Sequence, residues 1–140
     1  MQLMLVSHGD FAKEILKSAE MIMGKFTDVV EFGLEPDDGP QELSEKIAAF
    51  LKTLSKDEIV IVMVDLLGGT PSNVITKLLS SDYPNLNIIS GLNLPMLVAF
   101  MNQKFLGQPF DKAALIAAGK EGVVDVNEKI TALADSDDED

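Results

Sequence analysis

Leu3-Met4-Leu5-Val6-Ser7-His8-Gly9-Asp10-Phe11 is an apolar run that stops at a histidine and a glycine and then turns into a helical pattern. The run reads as a buried strand and Gly9 as a tight turn. From there Phe11, Ile15, Ala19 and Ile22 recur at spacings of four, four and three, one face of a helix. Gly24 is a natural stop for that helix. His8 is the only histidine in the chain, and it falls at the strand's carboxyl end. In an open α/β sheet that end is where ligands and chemistry collect.

The same unit repeats along the chain. Val29–Phe32, Ile59–Val64 and Leu86–Ile89 are three more short apolar runs, continuous rather than alternating, as buried parallel strands require. Helical patterns separate them, marked by Leu43, Ile47, Phe50, Leu51 and Leu54, then by Val74, Ile75, Leu78 and Leu79. Asn93-Leu94-Pro95 opens a fourth helix with Asn93 as N-cap, and Pro109–Gly119 carries a fifth. Alternation of this kind predicts an α/β fold with a mainly parallel four-stranded sheet and helices on both faces, and the expected architecture is a doubly wound sheet in the order 2-1-3-4. Gly122-Val123-Val124-Asp125-Val126 fits either an antiparallel C-terminal edge strand or more helix, and the edge strand is the expectation.

Composition narrows the function. The 140 residues suit one domain with its own core. We expect a single domain over 1–134 and a disordered acidic tail over 135–140. There is no cysteine, so thiol chemistry and cysteine metal sites are excluded. One histidine among scattered carboxylates gives no zinc-ligand spacing, and no metal or cofactor is expected. The net charge of −12 repels phosphate backbones and anionic lipid, which argues against nucleic acid and membrane surfaces as direct partners. The first apolar run is too short for a signal peptide, and no run is long enough for a membrane span.

A second strand end carries chemistry. Ile59–Val64 leads into Asp65-Leu66-Leu67-Gly68-Gly69-Thr70-Pro71-Ser72-Asn73. Two glycines allow close backbone approach, Thr70 reads as an N-cap and Pro71 as a first helical residue. A helix N-terminus placed there suits an anion. Together with Gly9, the residues Gly68, Gly69, Thr70 and Ser72 form the candidate phosphate-binding set. In a 2-1-3-4 sheet strands one and three are neighbours, so His8 and Asp65 meet at the switch point. A carboxylate on one ring nitrogen fixes the tautomer and leaves the other nitrogen free to act as a nucleophile or as a base. A Ser-His-Asp hydrolase is the competing arrangement, with Ser7 as its hydroxyl. It lacks a G-x-S-x-G elbow, and Ser7 adjoins His8 directly.

Val6-Ser7-His8-Gly9, the Asp65–Asn73 segment and Gly91-Leu92-Asn93-Leu94-Pro95-Met96-Leu97 together resemble the enzyme IIA component of the mannose-type phosphotransferase system. The likeness runs in order from residue 1 to about 125. It implies a cytoplasmic phosphocarrier of sugar uptake. His8 would take a phosphoryl group from phospho-HPr, the system's phosphocarrier protein. It would pass the group to a separate IIB component, which serves membrane IIC and IID components. Asp65 would orient the imidazole, and Thr70 would supply the hydroxyl at the glycine turn. The family is commonly dimeric, some members exchanging a C-terminal strand, so a homodimer is expected. The chain departs from the family at Leu67 and Ser72, where aromatics are frequent. Two other readings stay open. One is a phosphotransfer subunit feeding a dihydroxyacetone kinase. The other is a non-catalytic α/β regulatory module of the receiver kind, which would need an acidic pair where His8-Gly9 stands.

Overall fold

The computed structural model describes residues 1–138, with side chains described through Ser136. The chain order is β1 (Gln2–His8), α1 (Phe11–Met23), β2 (Val29–Leu34), α2 (Pro40–Leu51), β3 (Val60–Val64), α3 (Thr70–Ser80), β4 (Leu86–Ser90), α4 (Leu94–Phe105), α5 (Lys112–Glu121) and α6 (Val126–Asp138). The four strands form one parallel sheet in the expected order, β2-β1-β3-β4.

Every residue from Leu3 to Ser7 and from Val60 to Val64 is buried, because both faces of the central strands are covered. Successive strand side chains point to opposite faces. Leu3, Leu5, Ile61 and Met63 therefore pack under α1, α4 and α5, with Leu97, Phe100 and Leu115. Met4, Val6, Val62 and Val64 pack under α2 and α3, with Ile47 and Ile75. That two-sided burial is the reason the strands read as unbroken apolar runs. Phe26, in the loop before β2, stacks edge-on against Phe100 and Phe105 and ties α4 to the foot of α1. Among the described residues no helix is long and apolar enough to cross a membrane.

Two local expectations need correction. The buried stripe of α1 is Ala12, Ile15, Leu16 and Ala19, while Phe11 and Ile22 are exposed. A helix lying on a sheet buries residues spaced three and four apart, and Phe11 and Ile22 sit at the margins of that stripe. The expected edge strand over Val123–Val126 is absent, and β4 is the last strand of the sheet. Asp125, placed mid-strand by the sequence reading, instead caps α6. Its side chain accepts the Glu128 N–H at 3.1 Å and its carbonyl accepts the Lys129 N–H at 3.1 Å. The segment looked strand-like because Val123, Val124 and Val126 are β-branched, yet all three are exposed. Helix α6 spans Val126–Asp138, and of the tail expected over 135–140, residues 139–140 lie outside the described residues.

Candidate functional site

Two strands deliver the site. His8 is the last residue of β1, and Asp65 follows the last residue of β3. The β1–β3 ladder runs one step beyond the strand, with the Asp65 N–H donating to the Val6 carbonyl at 3.2 Å. This extra rung sets the two side chains facing each other across 57 residues of sequence.

One carboxylate oxygen of Asp65 does two jobs. Oδ2 accepts the backbone N–H of His8 at 2.9 Å and lies 2.8 Å from the ring Nδ1. A carboxylate only accepts, so Nδ1 carries the proton and Nε2 keeps its lone pair. The His8 side chain is 48% exposed and that of Asp65 only 15%. The carboxylate is therefore sheltered while the imidazole edge faces solvent. The buried Oδ1 of Asp65 has no hydrogen-bond partner among the described residues.

The Asp65–Gly69 turn wraps the ring. Gly68 takes φ +89°, a conformation that favours glycine. At Gly69 the constraint is space: a Cβ there would lie 2.7 Å from His8 Cε1 and 3.2 Å from Nε2. Gly69, rather than the expected Thr70, is the N-cap of α3, in extended geometry and with no capping side chain. A side chain at that position would collide with the imidazole, so the cap falls on a glycine and Thr70-Pro71 become the first helical residues. The first ladder bond of α3 runs from the Asn73 N–H to the Gly69 carbonyl at 3.0 Å. The N–H groups of Thr70 and Ser72 precede it and are free of the ladder. The positive end of α3 thus opens beside Nε2.

The remaining predicted residues fall into two groups. Gly9 makes the turn at φ +53°, but its N–H is committed to the Leu34 carbonyl at 2.8 Å. It shapes the site and does not offer that donor to an anion. Ser72 is only 3% exposed, and its backbone N–H is free of the α3 ladder. Ser7, the hydroxyl of the hydrolase alternative, is fully buried. Its Oγ accepts the Ala12 N–H at 2.8 Å and donates to the His8 carbonyl at 3.1 Å. That leaves it no access to a substrate. Sequence reasoning passed over Gly33 of β2, beside which the Gly9 carbonyl packs. A glycine inside an apolar strand is a signal of close backbone approach.

Leu66 (59% exposed) and Leu67 (77%) stand free on the turn, and Phe11 is exposed at the start of α1. They give the rim of the site an apolar character. Asn93 behaves as expected: its Oδ1 accepts the Met96 N–H at 3.0 Å, and its Nδ2 donates to the Gly119 carbonyl at 3.0 Å. This pins the mouth of α4 to α5.

Fold and site together define a doubly wound α/β domain that presents a carboxylate-oriented imidazole at its topological switch point, next to a helix N-terminus. The chain belongs to the mannose-type IIA family of the phosphotransferase system of sugar uptake: the family model described as "PTS system fructose IIA component" matches residues 2–114. The mannose-specific EIIAB component of Escherichia coli K12 is 33% identical over 119 residues, covering 84% of this chain. The chain spans about a third of that relative's length, 36%. The sorbose-specific EIIA component of Lacticaseibacillus casei is 27% identical with 99% of both chains covered. Among solved structures, the mannose/sorbose-specific IIA subunit from Enterococcus faecalis has a TM-score of 0.75 at 33% identity. It covers 89% of this chain and 92% of that one. The IIA protein associated with the fucose utilization operon of Streptococcus pneumoniae has a TM-score of 0.79 at 27% identity, covering 92% and 95%.

Proposed function

We propose that this domain is a cytoplasmic phosphocarrier in which His8 holds the phosphoryl group on Nε2. The observation that carries the reading is the 2.8 Å contact between Nδ1 and Asp65 Oδ2, which leaves Nε2 as the exposed nucleophile. In the forward step the Nε2 lone pair attacks the phosphorus of phosphohistidine on HPr. The N–P bond to the donor breaks, and the donor imidazole recovers its electron pair. The Nδ1 proton stays in place, so the phosphorylated His8 ring is cationic and Asp65 balances that charge. Gly68, Gly69, Thr70 and Ser72 would meet the phosphoryl oxygens with backbone N–H groups at the start of α3, while Gly9 holds the turn. The second transfer repeats the same exchange toward a histidine of a IIB component, which serves IIC and IID in the membrane.

The apolar rim formed by Leu66, Leu67 and Phe11 supports docking of protein partners, since transfer between two carriers needs a surface that excludes water. A homodimer is supported by Val123, Val124, Val126, Ile130 and Leu133, which stand exposed on the C-terminal segment. The relatives are described as specific for mannose, fructose and sorbose, so the sugar is left to growth tests.

The test is direct. The protein is incubated with phosphoenolpyruvate, enzyme I and HPr, and phosphate incorporation is measured. The parent should label and His8→Ala should not; equal labelling of the two sinks the reading. The linkage should survive alkali and be lost in acid, as a phosphoramidate is. Transfer onward to a dihydroxyacetone kinase subunit instead of a IIB component would favour the alternative pathway.

A further inference from the structure

We propose that Gly33 and Ser7 are positioning residues for His8, acting as the two sides of a clamp on the turn that carries it. The Gly9-Asp10 turn that follows β1 has no regular structure of its own, yet the His8 ring at its head must stay 2.8 Å from Asp65. On one side lies the edge strand β2. The Gly9 N–H donates to the Leu34 carbonyl at 2.8 Å, which draws the Gly9 peptide down onto Gly33. A Cβ at Gly33 would overlap the Gly9 carbonyl oxygen and lie 3.1 Å from its carbon. Gly33 is not among the glycines with positive φ, so it is required for space and not for conformation. The colliding atoms are backbone, so no side-chain rotation can relieve them.

On the other side Ser7 is sealed in the core and ties the His8 carbonyl to the first turn of α1 through its hydroxyl. The N–H of His8 is already bound to Asp65. Both backbone polar groups of His8 and its ring are thus fixed, and the clamp sets where the ring stands. A methyl group at position 33 must push the Gly9 carbonyl away by about an ångström. The neighbouring residue is His8, and a displacement of that size in a reacting group lowers transfer by about tenfold or more. A glycine that were merely a strand defect predicts the opposite, since alanine there would be neutral or stabilising.

The variants are Gly33→Ala and Ser7→Ala, with Ile47→Val in the distant α2 core as a control for mild destabilisation. The chain has one histidine, so its ring signals in a 1H–15N spectrum need no assignment. In the parent the Nδ1 proton is held by Asp65 and should exchange slowly with water. In both clamp variants that signal should shift and broaden, while in Ile47→Val it should not move. The activity arm rests on the phosphocarrier reading. Acceptance from phospho-HPr should fall about tenfold or more in Gly33→Ala, less in Ser7→Ala, and stay within about twofold in the control. A folded Gly33→Ala with parental ring signals and rate overturns the proposal. If Gly33→Ala does not fold, Ser7→Ala decides: unchanged ring signals refute the clamp, shifted signals support it. If the parent itself does not label, the phosphocarrier reading fails while the ring spectra still decide the clamp.

Discussion

Replacing Asp65 by asparagine separates the two contributions of this residue, orientation and charge. In Asp65→Asn the amide oxygen can still accept the His8 backbone N–H and the ring Nδ1–H where Oδ2 now sits at 2.9 and 2.8 Å. The amide NH2 group would occupy the place of Oδ1, which is buried without a partner. The fold and the ring geometry should therefore survive, and the melting temperature should change little. What is lost is the negative charge opposite a ring that, on the proposed reading, becomes cationic on phosphorylation. A hydrogen bond to a charged group contributes about 1.5–3 kcal/mol, against about 1 kcal/mol for a neutral one. The difference, about 0.5–2 kcal/mol in a sheltered but not dry site, corresponds to a rate loss of roughly 2- to 30-fold. Asp65→Ala removes both hydrogen bonds as well as the charge. It should lose the full 1.5–3 kcal/mol or so, roughly 10- to 150-fold. Rapid-quench measurement of acceptance from phospho-HPr, with circular dichroism to confirm folding, gives both numbers. If Asp65→Ala is folded and transfers at the parental rate, Asp65 does not orient or balance the ring. If asparagine is as slow as alanine, charge rather than geometry is the whole contribution.

Gly69→Ala should push the imidazole off Asp65, because the new Cβ would lie 2.7 Å from Cε1; labelling should fall with little loss of thermal stability, and a normal labelling rate would contradict the packing. Leu97→Ala empties a fully buried position under α4 and should cost about 2–5 kcal/mol, a drop in melting temperature of roughly 8–15 °C. Asn93→Ala removes the cap of α4 and its tie to Gly119, with an expected loss of about 0.5–2 kcal/mol in urea unfolding and no loss of the His8–Asp65 contact by ring NMR. Ile130→Asp places a charge on the exposed apolar side of α6 and should reduce the sedimentation mass of the parent dimer to a monomer; a parent that is already monomeric removes the dimer from the reading.

Much of the fold was legible because it depends on local signals that agree. The four strands are unbroken apolar runs, and helices with clear stops separate them. The misreadings have one origin. Val123-Val124-Asp125-Val126 has strand-like composition, but β-propensity reflects packing on a sheet, and no described residue pairs with this segment. Asp125 was free to cap a helix instead. Thr70 lost the cap position to Gly69 because the imidazole occupies the space a side chain would fill, and that collision involves residues 61 positions apart in the chain.

By itself the sequence determined the parallel α/β architecture and placed His8 and Asp65 at strand ends. These follow from the period of the apolar pattern and from the handedness of strand–helix–strand connections, and in a doubly wound sheet ordered 2-1-3-4 the two ends are neighbours. Only the tertiary structure decided how the side chains and backbone groups around His8 are arranged. Which ring nitrogen is free depends on where Oδ2 lies, and whether the Gly9 N–H can reach an anion depends on the Leu34 carbonyl that already binds it. The need for glycine at 33 and 69 likewise depends on atoms arriving from other strands and turns. Such close approaches are set by how the elements pack, and they leave no trace in the local pattern of the residues that make them.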